Sequence, residues 1–134
     1  MGGLGREFDG GYAEFTLVPA NQVKALGFQT KLSWEQLGAV PEMLETAWGS
    51  LFRALQLKER ETLLIRGGTT SVGLAAAAIA RNFGVEVVST TRRADRAELL
   101  KSHGATNVVV DNGMIANDVR KLYPKGVNKV LELV

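Results

Sequence analysis

The sequence predicts an α/β protein built on a parallel sheet with flanking helices, and three observations predict it. From Glu61 onward, short apolar runs alternate with helical stretches, the order expected of successive β-α-β units. A glycine-rich turn joins the first of these runs to an alanine-rich helix. No apolar run approaches the roughly 20 residues of a membrane-spanning helix, so the runs read as core strands and no membrane partner is expected.

Element by element, the first segment, 1–11, is rich in glycine and has no periodicity, and it leads into Tyr12-Ala13-Glu14-Phe15-Thr16-Leu17-Val18. Aromatic and β-branched residues predict a strand there, ending at Pro19, with a short partner over 23–26. An isolated hairpin is marginal in water, so this region reads as the edge of something larger. Ser33-Trp34-Glu35-Gln36 has the capping-box pattern and starts a helix. Pro41 then suits the first turn of a second helix reaching Leu55, with Met43, Leu44, Ala47, Leu51 and Leu55 on one face. The strands that follow are 62–65, 85–88, 107–110 and 128–134, each short and β-branched. Helices are predicted over 72–83, 94–102 and 114–123, with Gly84 and Gly104 placed for left-handed C-terminal caps.

Composition removes several function classes. The sequence has 134 residues and no cysteine, so disulfides and thiolate metal sites are excluded. Nothing at the N-terminus has the pattern of a signal peptide, which leaves a cytoplasmic location as the default expectation. A formal charge of +2 is too small to imply nucleic acid by itself.

The chemistry is concentrated in Gly67-Gly68-Thr69-Thr70-Ser71-Val72-Gly73-Leu74. A turn between a strand and a helix presents free backbone N–H groups and the positive end of the helix dipole to a diphosphate. Gly68 and Gly73 fill the outer positions of G-x-G-x-x-G, with Gly68 making the tight reversal and Gly73 letting the helix pack closely on the sheet. The middle position is Thr70, which holds a ligand farther from the backbone, while the hydroxyls of Thr69, Thr70 and Ser71 can donate to phosphate oxygens. The same spacing fits the outer glycines of a P-loop, but that motif needs Lys and then Ser or Thr after the second glycine, and Leu74-Ala75 stand there. A Rossmann-type sheet is therefore predicted, truncated at four strands where such folds carry about six.

At the end of the second strand an NAD site places Asp or Glu on the adenosine ribose. The sequence reads Ser89-Thr90-Thr91-Arg92-Arg93 instead. Guanidinium groups grip a 2′-phosphate with paired, charge-assisted hydrogen bonds, so Thr91, Arg92 and Arg93 predict NADPH over NADH. Against this, Asp95 partly balances a cluster of Arg92, Arg93 and Arg96 that could simply solvate a helix start.

These residues resemble the medium-chain dehydrogenase/reductase superfamily, in particular its quinone-oxidoreductase-like and zinc-type alcohol-dehydrogenase-like members, and the resemblance covers essentially the whole chain. Phe8 to Pro19 is similar to the end of that family's GroES-like catalytic domain, and Glu45-Thr46-Ala47-Trp48 to its linking helix. The glycine turn, Ala97-Glu98-Leu99-Leu100 with Gly104-Ala105, and Val130 to Val134 follow in the family's order. The resemblance implies residues 1–32 as a remnant of the catalytic domain, and 33–134 as the linking helix and a partial NAD(P)-binding domain. It implies a cofactor site of Thr46, at the nicotinamide end, with Gly68, Thr69, Thr70, Ser71 and Val72. It also implies an oxidoreductase that reduces a small-molecule quinone, enone or carbonyl by hydride transfer from NADPH, with this chain alone catalytically silent.

No metal is expected in this chain, because the family's zinc ligands lie mostly upstream of Met1. His103, the only histidine, sits beside Gly104 and reads as a solvent-facing helix end. Tyr12 and Tyr123 lack the lysine four residues on that short-chain dehydrogenases use, and no catalytic residue can be assigned. Two rivals stand beside this reading. One is a non-catalytic nucleotide-sensing module. The other is a nucleic-acid binder using Lys58, Arg60, Arg66, Arg92, Arg93, Arg96 and Lys101, which lacks interleaved aromatics for stacking, so no nucleic acid is expected. The interrupted sheet also leaves an edge able to pair with a second copy as a homo-oligomer.

Overall fold

The computed structural model describes residues 3–27 and 29–134, in two compact units, Met1–Leu32 and Ser33–Val134. Met1 and Gly2 of the glycine-rich segment lie outside the described residues.

Within Met1–Leu32 the expected strands do not form. Residues 11–14 make bends and 15–19 an irregular run, and a single 3-10 turn, Ala20–Gln22, follows Pro19. Residues 23–26 are irregular as well. The side chains of Tyr12, Phe15 and Leu17 are almost fully exposed. Strand propensity is realised only against a partner strand or a packed face, and the described residues of this unit supply neither.

In Ser33–Val134, helix α1 runs over Trp34–Trp48 behind the predicted capping box, with Ser33 Oγ accepting from Gln36 N at 3.3 Å and Gln36 Oε1 accepting from Ser33 N at 3.0 Å. Pro41 does not start a second helix but lies inside α1. A helix beginning at Pro41 would have Val40 as its cap, a residue with no side-chain acceptor, whereas Ser33 already caps the chain about two turns earlier. A π-helical turn, Gly49–Ala54, extends α1, closed by Leu55 N to Ser50 O at 2.9 Å. Its wider winding keeps residues four apart in line, so Ala47 and Leu51 are fully buried and Met43 and Leu55 pack against the same core. Leu44 is turned out.

The sheet consists of β1 (Thr62–Arg66), β2 (Glu86–Thr91), β3 (Asn107–Val110) and β4 (Lys129–Glu132), all parallel, in the order β3-β2-β1-β4. The second strand is longer than predicted, because pairing with β3 continues through Thr91 to Val110. Between strands lie α2 (Ser71–Asn82), α3 (Ala97–Ser102, entered by a 3-10 turn at Ala94–Arg96) and α4 (Ile115–Leu122). Gly84 and Gly104 take the predicted positive φ, 78° and 113°.

Alternation within β1 builds both faces. Leu63 and Ile65 join Val87 and Leu131 against Ala75, Ala76, Ala77 and Ala80 of α2 and Ala47 and Leu51 of the first helical layer. Leu64 joins Val88 and Val109 against Val119 of α4. The alanines let α2 lie close to the sheet, which fixes where its first turn stands relative to the carboxyl end of β1. The chain order reverses between β1 and β4, and in open parallel sheets that carboxyl edge is where ligands bind.

Candidate functional site

At that edge the glycine turn is built from three different constraints. Gly67, and not Gly68, makes the reversal, with φ at +78°. Gly68 is buried under β2, where a Cβ would stand 2.9 Å from Ser89 Cβ, and its N–H bonds Thr90 O at 3.0 Å. Gly73 is the position of closest approach, since a Cβ there would lie 2.5 Å from Gly67 O.

Thr70 is the N-cap of α2. Its hydroxyl donates to Gly67 O at 2.9 Å and accepts from Gly73 N at 3.0 Å. Its single proton is thus spent inside the turn, which corrects the expectation that it donates to phosphate. Thr69 and Ser71 are exposed, and their hydroxyls have no partner among the described residues. The N–H groups of Thr69, Ser71 and Val72 have no partner among the described residues, because the first α-helical bond is Leu74 N to Thr70 O. Three unpaired donors at a helix N-terminus favour an anion.

In front of this turn lies a crevice of about 520 Å3, lined in part by Gly67, Thr69, Thr70, Thr91, Arg92 and Asn112. A second hollow, of about 540 Å3, shares Thr69, Thr91 and Arg92 and adds Arg93, Arg96 and Leu99. Thr91, predicted as a phosphate ligand, uses its hydroxyl to order the strand exit, accepting from Arg93 N at 3.1 Å and donating to Arg93 O at 3.2 Å. Arg93 is held by Asp95 through two hydrogen bonds, 3.0 and 2.6 Å, which keep the Asp95 carboxyl below its ordinary range. Arg92 and Arg96 have no ion-pair partner among the described residues.

A further group was not legible in the sequence. Arg66, at the end of β1, bonds Asp111 Oδ2 at 2.9 Å and Glu132 Oε2 at 2.8 Å, and so ties together the ends of three strands. Asp111 Oδ1 accepts from Gly113 N at 2.9 Å, and that bond together with Arg66 holds its carboxyl below the ordinary range. The same two carboxylates, Asp111 first, raise the Arg66 pKa further above the ordinary arginine value. With Arg66, Arg93 and Lys101 all paired within the chain, the basic surface open to nucleic acid is reduced to four of the seven residues counted for it.

Other predicted residues lie elsewhere. Thr46 is exposed on α1, its hydroxyl donating to Glu42 at 3.3 Å, and it lines neither hollow. Gly68, Ser71 and Val72 do not line them with side chains, Val72 being packed against the core. His103 is exposed, with Nδ1 2.9 Å from Leu99 O at the end of α3. Tyr123 donates to Glu86 at the amino edge of the sheet, opposite the crevice, and burial raises its pKa, with Glu86 adding to the shift. Within Met1–Leu32 a hollow of about 950 Å3 is lined by Leu4, Tyr12, Phe15 and Leu17 with the carboxylate of Asp9, and offers no cation for a phosphate. Among the described residues no three His, Asp or Glu groups converge to hold a metal ion. No helix among them is long and apolar enough to cross a membrane.

Comparison with known proteins places this geometry. The zinc-binding dehydrogenase family model matches residues 71–134. The quinone oxidoreductase of Pongo abelii is 31% identical over 127 residues, 93% of this chain and 38% of that protein. The chain is thus similar, over most of its length, to proteins of the medium-chain dehydrogenase/reductase superfamily. It spans about 38% of the length of the quinone oxidoreductases it matches. Among solved members of like fold, a mycobacterial protein complexed with NADPH is 32% identical with a TM-score of 0.63, covering 71% of this chain and 30% of that one. An NAD-dependent alcohol dehydrogenase is 31% identical with a TM-score of 0.68, covering 74% and 29%. Of these two neighbours, one is thus described with NADPH and the other with NAD.

Proposed function

We propose that the chain forms the cofactor-binding part of an NADPH-dependent oxidoreductase that reduces a quinone, enone or carbonyl compound. The observation that supports it most is the meeting of Thr69, whose N–H is unpaired among the described residues, with Arg92 in one crevice at the carboxyl edge, next in sequence to the free first-turn amides of α2. The amides of Thr69, Ser71 and Val72 bind the diphosphate, and Arg92 and Arg96 hold the 2′-phosphate as charge-assisted donors. Arg93 contributes less than its position implied, because Asp95 occupies its guanidinium. Thr46 serves the nicotinamide end only by turning its hydroxyl away from Glu42. Residues 1–32 correspond to the end of the GroES-like catalytic domain. When bound, the nicotinamide supplies the hydride, and the protein binds and orients.

One observation favours a second reading, a nucleotide-sensing module. The carboxylate that lines the crevice, Asp111, is committed to Arg66 and Gly113, which leaves it unsuited to acid or base work. Calorimetric titration of the chain with NADPH and NADH tests the cofactor assignment. Tighter binding of NADPH is expected, and equal affinities contradict it. Quinone reduction by a longer parent chain separates enzyme from sensor.

A further inference from the structure

Asp111 is the one acidic side chain lining the crevice, among the described residues, and it lies within electrostatic reach of Arg92. Its side chain is only 10% exposed. Arg66 takes its Oδ2 through both Nε, at 3.3 Å, and Nη2, at 2.9 Å, while Gly113 N takes Oδ1. Both carboxylate oxygens are therefore occupied by partners other than Arg92, although Arg92 and Asp111 line the same opening. A guanidinium and a carboxylate so placed attract each other strongly wherever neither has a better partner.

We propose that Arg66 is a specificity-determining residue that acts through another. By holding Asp111, it keeps that carboxylate from pairing with Arg92 and leaves Arg92 available to a ligand phosphate. The inference rests on the assignment of Arg92 to the 2′-phosphate given above. Removing Arg66 has two effects in the same direction. It frees Asp111 to compete for Arg92, and it leaves an uncompensated negative charge in an anion-binding crevice. Both penalise NADPH more than NADH, because NADPH carries the additional phosphate. A role confined to bracing the ends of β1, β3 and β4 would weaken both dinucleotides alike.

The test is the ratio of NADPH to NADH affinity, by calorimetry, for the unmodified chain and for Arg66→Gln, Arg66→Lys, Asp111→Asn and the double variant Arg66→Gln with Asp111→Asn. Thermal unfolding of each confirms that the chain is folded at the titration temperature. Arg66→Gln is expected to lower the ratio by about tenfold, the size of one charge-assisted contact. Arg66→Lys retains most of the ratio, Asp111→Asn retains or raises it, and the double variant restores it. A ratio unchanged in Arg66→Gln overturns the inference, and so does a double variant as impaired as Arg66→Gln alone. Should Arg66→Gln not fold, Arg66→Lys and Asp111→Asn decide it, since a fall in the ratio in Asp111→Asn contradicts competition for Arg92. Equal affinities in the unmodified chain would instead contradict the assignment of Arg92 on which the inference depends.

Discussion

Gly73 stands so close to Gly67 that the first carbon of any side chain on it would meet the Gly67 carbonyl oxygen at 2.5 Å. The two glycines divide one task. Gly67 supplies the left-handed reversal, and Gly73 lets the first turn of α2 close over it. Because the neighbouring atoms are backbone, the clash cannot be relieved by a rotamer change. Gly73→Ala is therefore expected to cost about 1–3 kcal/mol of stability, the range for overpacking a tight site. It should also weaken dinucleotide binding, because α2 must lift from the turn. Urea unfolding with parallel titration measures both, and an unchanged midpoint would mean that the turn closes differently.

Thr70 holds that closure from the side-chain direction, as an N-cap that also donates to Gly67 O. Thr70→Ala should lose about 1 kcal/mol, the usual value of a hydroxyl cap, and Thr70→Ser much less. Equal losses in the two, read from denaturant midpoints, would place the effect in the methyl group.

Arg92→Ala and Arg96→Ala are expected to lower NADPH affinity by about tenfold each and to flatten its dependence on salt, with little change for NADH. Arg93→Ala should do less to NADPH, because its guanidinium is engaged by Asp95. Titration at two salt concentrations checks the order, and a dominant loss from Arg93→Ala would reverse the roles.

Asp111 gives the fold an acid limb. Its carboxyl pKa is depressed in the folded chain, first by Gly113 N and then by Arg66. Its contribution is thus complete above the unfolded carboxyl value, about 4, and is lost as pH falls below that through the folded value. Urea midpoints for the unmodified chain and Asp111→Asn should converge as pH drops from 7 toward 3. Midpoints that stay a constant distance apart would show that the carboxylate is not coupled to folding.

The sheet was readable in the sequence because each of β1 to β4 carries a dense β-branched or leucine-rich run between turn signals, and the inner strands β1 and β2 are buried through most of their length. The same local cues misled at Tyr12 to Val18, where the aromatics favour a strand only if something pairs with it. Pro41 misled for a related reason, since the preference for a first turn yields to a cap already made at Ser33. At the crevice, spacing pointed to Gly68 and Gly73, but two adjacent glycines give no sign of which one reverses the chain. The opening shared by Thr69, Thr91, Arg92 and Arg93 followed from placing a turn and a strand end at one edge. The pairing of Arg66 with Asp111 spans 45 residues and leaves no local pattern to read.

The most direct measurement is the response of backbone amide resonances to NADPH. The N–H groups of Thr69, Ser71 and Val72, unpaired among the described residues, should shift most, together with those around Arg92, while Tyr123 and Asn128 at the opposite edge stay in place. Shifts confined to other residues, or a first turn of α2 that does not respond at saturating NADPH, would contradict the assignment of the diphosphate to that turn.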